Sequence, residues 1–220
     1  MEPKGTVLPI YFVVDESGSM APHIDELNAG LLGLLDSLQG ESFAAAKIRF
    51  SVIGFSDTAY THLEIADLRS LPAMPTLAPR GLTSYLAAFE QIGYRISVDV
   101  PNLKAQGYLL NRPAVFFLTD GIPNDEDWRS ARATLLSQPA APNILSFGIG
   151  QADAAIINEI ATAPQYARVA SAGTDTAVAL SSFIVSLTQS VISSGQSLAD
   201  GRGELQLEEP EGFTLAVDLI

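Results

Sequence analysis

Ile10-Tyr11-Phe12-Val13-Val14-Asp15-Glu16-Ser17-Gly18-Ser19-Met20 reads as the end of a strand and the start of a site. An apolar run of β-branched and aromatic residues is what a strand buried on both faces requires. The run stops at a carboxylate, and hydroxyls follow at every second position. Such strands belong to α/β sheets, whose ligands sit just beyond the carboxyl ends of the strands. Asp15, Ser17 and Ser19 stand at that place. Their hard oxygen atoms suit magnesium, manganese or calcium and not zinc.

A second apolar run, Ala114 to Thr119, also ends in a carboxylate, Asp120, with a turn at Gly121 and Pro123. Lys47 to Phe55 and Asn143 to Ile149 read as further strands, and the more polar Ala59 to Ile65 as an edge. Between them lie helical patterns. Ile24, Leu27, Leu31, Leu35 and Leu38 recur at steps of three and four; Gly30 and Gly33 interrupt them, as close packing on the sheet would allow, and Gly40 ends them. A second helix runs from Thr83 to a stop at Pro101. Asp125 to Asp127 open a third, at the positive end of its dipole. Asp153 to Thr162 and the amphipathic Thr174 to Ser193 complete the set. Pro72, Pro75, Pro79 and Gly81 break the segment before Thr83.

This alternation predicts an α/β fold, a mainly parallel sheet covered by helices on both faces. Ser193 to Gly203 reads as a Ser/Gly-rich linker. Phe213, Leu215, Val217 and Leu219 then alternate as a strand with one buried face. The expected organisation is one domain over residues 1–193, with linker and strand-like tail over 194–220.

Composition narrows the functions. A hydrophobic fraction of 47% and a charged fraction of 17% over 220 residues describe an ordered globule with a sizeable core. A net charge of -13 argues against duplex nucleic acid and anionic membrane surfaces. A divalent cation or a basic protein face fits it better. With no cysteine there is no disulfide, thiolate nucleophile or Cys-based zinc site. No signal-peptide cleavage pattern follows the first apolar run, and no run approaches the roughly 18 apolar residues of a membrane span. The expectation is a soluble cytoplasmic protein.

In a parallel sheet the strand ends of one polarity share an edge, so Asp15 and Asp120 can meet. Gly81-Leu82-Thr83-Ser84 lies between them in sequence and delivers a hydroxyl at a helix start. Here the chain resembles the von Willebrand factor type A family. Its metal-ion-dependent adhesion site is built from Asp-x-Ser-x-Ser, a loop threonine and a strand-end aspartate. Asp15, Ser17, Ser19, Thr83 and Asp120 stand at those places, in that order, within a resemblance covering roughly residues 7–193. The loop departs from the family pattern, with Ser84 and Leu86 where Pro and Gly are common.

The resemblance implies a three-layer α/β/α sandwich of the Rossmann-like, von Willebrand type A kind. It also implies that Ser17, Ser19 and Thr83 bind a divalent cation directly while Asp15 and Asp120 act largely through waters. A partner protein's Asp or Glu would complete the shell, in a non-catalytic capture. Three stretches are similar to a stand-alone bacterial branch associated with tellurite resistance, stress-response gene sets and kinase- or phosphatase-like partners. They are Asn28 to Leu31, Asp120 to Asp125 and Leu207 to Phe213.

Blander readings stand beside these. Asp15 is also a plausible helix cap, and so is Thr83, with Ser84 able to serve in its place. Glu16 occupies the variable position of the motif and reads as solvated. Asp125, Glu126 and Asp127 read as capping and solubility residues, and Asp57 as a turn. His23 and His62 have no spacing partner for zinc or a triad, though His23 is near the rim. There is no P-loop and no Gly-x-Ser-x-Gly nucleophile. Two alternatives remain: a phosphatase-like metal-dependent hydrolase, and a scaffold whose tail adds a strand to a neighbour.

Overall fold

The computed structural model describes residues 3–216. Its first half contains β1 (Thr6–Asp15), α1 (Ile24–Gly40), α2 (Ser42–Ala46), β2 (Ile48–Phe55), β3 (Ala59–Ala66) and α3 (Tyr85–Ala105). The second half contains β4 (Leu109–Leu110), β5 (Ala114–Thr119), α4 (Trp128–Leu136), β6 (Asn143–Gly148), α5 (Ala154–Ile160), β7 (Ala167–Ala170), α6 (Thr176–Ala199) and β8 (Phe213–Leu215). Among the described residues the sheet has eight strands, ordered β3-β2-β1-β5-β6-β7-β8, with β4 paired to the start of β1. Only the outer pairs, β2 with β3 and β7 with β8, are antiparallel.

The period-two alternation of the central strands sorts the core into two halves. Leu8, Ile10, Phe12 and Val14 of β1 face α1 and α6, as do Phe116 and Leu118 of β5. Tyr11, Val13, Val115 and Phe117 face the opposite layer, with Phe89 of α3 and Trp128 of α4. Phe89 stacks on both Phe117 and Trp128, with centroids 5.6 and 5.8 Å apart. The result is the expected α/β/α sandwich, and its parallel strands bring the ends of β1 and β5 side by side.

Several expectations need correction. Pro101 does not stop α3; it lies inside the helix, and one further turn follows to bury Leu103. Gly30 packs not on the sheet but on α6, where an added methyl would meet Ile184, while Gly33 faces open space. Short elements α2, β4 and β7 carry too little periodicity to be seen in the sequence.

The largest correction concerns the supposed linker. Residues 193–199 continue α6, and Ser194, Gly195 and Ser197 are buried there. Gly195 is small because the backbone of α2 leaves no room: an added Cβ would lie 2.5 Å from the Ala44 carbonyl oxygen. The serines bind the chain that returns along the helix. Ser194 Oγ accepts from Gln206 N at 2.9 Å, and Ser190 Oγ accepts from Glu208 N at 2.9 Å. Ser186 and Ser182 donate to the carbonyls of Glu208 and Glu211. One serine per turn of helix meets the returning chain at Gln206, Glu208 and Glu211, so a Ser-rich stretch serves as a ladder.

Leu205 and Leu207 of the returning chain pack against the core, Arg168 pairs with Glu209, and β8 closes on the β7 edge. The tail strand thus folds onto its own sheet; its expected positions Val217 and Leu219 lie outside the described residues. By length and composition alone α6 could cross a membrane, its most apolar stretch having a mean hydropathy of 1.5. In the fold Leu180, Phe183, Leu187 and Val191 lie in the core.

Candidate metal centre

Backbone geometry places the first loop. Asp15 is the last residue of β1, and its Oδ1 accepts the Ser17 amide at 2.8 Å, turning the chain so that both serine hydroxyls face one way. Ser17 Oγ lies 3.0 Å from Ser19 Oγ. Ser19 Oγ donates to Asp120 Oδ1 at 2.8 Å, a bond between residues 101 apart in sequence. Since the Ser19 proton goes to Asp120, Ser17 is the donor to Ser19. Four of the five residues expected at the site are therefore joined in one chain of hydrogen bonds at the carboxyl edge of the sheet.

Thr83 stands beside this chain. Its hydroxyl abuts Gly121, where an added Cβ would lie 3.5 Å from Thr83 Oγ1. Asn124 holds the Thr83 backbone from both sides, its Oδ1 accepting Thr83 N and its own N donating to Thr83 O, each at 2.8 Å. Asp57 does not join the oxygens; it accepts the Leu82 amide at 3.0 Å and so braces the same loop. Ser84 caps α3 by accepting Ala87 N. Asp125 accepts Leu86 N, capping α3 and not the helix it precedes.

Neither carboxylate has a basic partner that matches its burial. Asp15 is fully buried, and burial pushes its carboxyl up to about 6 against the opposing hydrogen bonds of Thr119 and Ser17. Burial also raises Asp120, opposed by the Ser19 hydroxyl and, more weakly, by the nearby His23. Among the described residues no lysine or arginine contributes at either group. Two crowded carboxylates without a counter-charge, beside three neutral hydroxyls, fit a hard divalent cation. Among the described residues no group of three His, Cys, Asp or Glu is built for a metal, so a softer site has no ligand set here.

Sequence reading missed four supports. Thr119 donates to Asp15 Oδ2 at 2.6 Å, and the Tyr85 hydroxyl donates to the Gly121 carbonyl at 3.0 Å. A hydroxyl ending an apolar strand was the available signal for Thr119. Asn124 carried none. Glu16, expected in solvent, is fully buried and pairs with His62, which had seemed isolated.

The profile of the von Willebrand factor type A domain matches residues 10–184. No curated protein matches the sequence significantly. Among solved structures, the chain is similar to the pilus adhesin SpaC of Lactobacillus rhamnosus GG in its open conformation. That match has a TM-score of 0.65 at 15% identity, covering 87% of this chain and 30% of the other. Proximal thread matrix protein 1 from the mussel byssus, solved with zinc in its metal-ion-dependent adhesion site, gives 0.61 at 16%, covering 87% and 49%. A von Willebrand factor type A protein from Catenulispora acidiphila gives 0.59 at 19%, covering 85% and 43%. The chain spans less than half the length of each of these solved chains.

Proposed function

The chain belongs to the von Willebrand factor type A domain family, and from that premise we propose that it is a metal-dependent protein-binding module that works by capture and not by turnover. One observation carries the reading: two buried carboxylates with no lysine or arginine beside them, linked through Ser17 and Ser19, at the edge where parallel strands present ligands. Asp15 and Asp120 would supply two negative charges, and Ser17, Ser19 and Thr83 three neutral oxygens. A divalent cation held by that set is only just neutralised. It can therefore accept a carboxylate from outside, which is the chemistry of recognising an Asp or Glu on a partner.

Magnesium is the first choice, because it favours oxygen ligands and keeps open positions when the protein supplies few. Manganese and calcium are the rivals. Zinc in the mussel protein supports a divalent cation at such a site and does not select the ion here. The finer placement, a tellurite-resistance or stress system with a kinase- or phosphatase-like partner, rests on the three local sequence resemblances alone, and the cytoplasmic setting on composition and the sequence patterns read above.

Calorimetric titration with magnesium, manganese and calcium tests the site, with Asp120→Ala as the control that should not bind. A surface bearing glutamate side chains should retain the protein with metal and release it with EDTA. Retention indifferent to EDTA would sink the capture reading. Phosphatase turnover that needs metal and disappears in Asp120→Ala would replace it with the hydrolase.

A further inference from the structure

Three features that ordinary strand chemistry disfavours meet at one point beside the candidate metal centre. Glu16, between the two motif residues Asp15 and Ser17, has no solvent exposure. β2 carries a glycine in its interior, Gly54. β3 carries a bulge: the register runs Phe55↔Ala59, Gly54↔Tyr60 and Ile53↔Thr61, then jumps to Val52↔Leu63. His62 is the extra residue, and bulges re-aim a side chain. Its Nε2 lies 2.9 Å from Glu16 Oε2. Gly54 is what makes room, since a Cβ there would lie 2.0 Å from Glu16 Oε2 and 2.6 Å from His62 Nε2.

The other contacts of Glu16 lead to the Thr83 loop. Its Oε1 accepts Ala78 N at 3.0 Å and its carbonyl accepts Arg80 N at 2.6 Å. Two residues after Glu16, Gly18 N donates to Gly81 O at 3.1 Å. The segment that ends in Thr83 is thus hung on the loop that carries Ser17 and Ser19, with the Glu16 carboxylate as the side-chain link. Burying a hydrogen-bonded polar pair adds little net stability, because bonds made inside the protein replace bonds to water. A pair whose glutamate also holds Ala78 N, on the segment leading to Thr83, is better explained by what it positions.

We propose that Glu16 and His62 are positioning residues that fix the Thr83 loop against the Ser17–Ser19 loop and thereby set the affinity of the cation site. This rests on reading that site as a cation site. The pair touches no cation and no partner; it acts through Ala78, and the bulge at His62 and the space at Gly54 exist to seat it.

The test uses the full chain with Glu16→Leu, Glu16→Gln and His62→Leu. The measurements are magnesium affinity by calorimetry, melting temperature in EDTA, and the amide resonances of Ala78, Arg80 and Thr83 in EDTA. Glu16→Leu and His62→Leu should weaken magnesium about tenfold, the scale for groups that orient metal ligands. They should also move the Thr83 amide, and the melting temperature should fall modestly because each leaves a buried partner unsatisfied. Glu16→Gln, which keeps an acceptor for Ala78 N, should restore most of the affinity. Wild-type affinity with an unmoved Thr83 amide in both leucine variants overturns the proposal. So does an affinity loss that tracks a fall in melting temperature and resists Glu16→Gln. If Glu16→Leu does not fold, His62→Leu is judged by the same criteria. Should the wild-type chain bind no magnesium, the cation reading fails by itself, and the Thr83 amide in EDTA still decides whether the pair positions the loop.

Discussion

Thr119, the last residue of β5, donates its hydroxyl to the Oδ2 of Asp15, the last residue of the neighbouring β1, at 2.6 Å. Thr119 Oγ1 in turn accepts the Gly121 amide at 3.2 Å. One hydroxyl thus ties the two strand ends that carry the carboxylates and fixes the turn behind Asp120. Thr119→Val keeps the shape and removes both bonds. It should cost about 1–3 kcal/mol of stability, because a buried acceptor and a buried amide lose their partners. It should also weaken magnesium about tenfold, as expected when the group orienting a metal-site carboxylate is lost. Thr119→Ser should retain both properties. Equal magnesium affinity for the valine and threonine proteins would show that Asp15 needs no orienting partner.

The serine ladder on α6 makes a separate claim about stability. Ser194 both accepts Gln206 N and donates to Gln206 O, at 2.9 and 3.2 Å. Ser190 accepts Glu208 N. Replacing Ser190 and Ser194 together by alanine should cost roughly 2–4 kcal/mol, at about 1–2 for each serine. The returning chain at 204–211 should become the first site of limited proteolysis. Cleavage that remains slow in the double variant would mean Leu205 and Leu207 hold the segment unaided.

Gly195→Ala probes the same helix from its other side. The atoms in the way belong to the α2 backbone at Ala44 and cannot swing aside. The expected cost is about 1–3 kcal/mol of overpacking, although alanine is the better helix former. A raised melting temperature would show that α2 yields easily.

Unbroken apolar runs made the central strands legible, because β1 and β5 are buried on both faces and tolerate little but apolar residues. The sequence order of Asp15, Ser17, Ser19, Thr83 and Asp120 made the site legible, because ligands at a sheet edge come from strand ends and the loops after them. What escaped was set by tertiary contact. Glu16 has the composition of a surface residue, and only its packing under Gly54 against His62 makes it a buried one. Ser194 and Gly195 look like a linker in one dimension. They are a helix because a second chain and a neighbouring helix use their small size. Pro101 is tolerated since the turn after it still buries Leu103.

Proton linkage gives the last prediction. Burial raises the Asp15 carboxyl to about 6 from an ordinary 3.8. Between those values the folded, metal-free protein keeps a proton that the unfolded chain has released. The contribution of Asp15 to stability therefore falls as pH rises through that window, by up to about 3 kcal/mol. Cation binding has the opposite sign, since the metal must displace that proton. Magnesium affinity should be level above about pH 6.5 and should drop at least about tenfold per unit below about pH 5.5, the slope of the proton displaced from Asp15, to which the raised Asp120 adds. Burial raises Asp99 and Asp120 as well, and they contribute in the same direction; Asp67, held low by Arg69 and Arg49 against its own burial, contributes in the reverse direction and below that window. The comparison with Asp15→Asn isolates the effect. In EDTA the difference in melting temperature between wild type and Asp15→Asn should change between pH 4.5 and pH 7, with wild type relatively more stable at the acid end. If that difference is independent of pH, the Asp15 carboxyl is not raised, and the missing counter-charge at the site must be sought elsewhere.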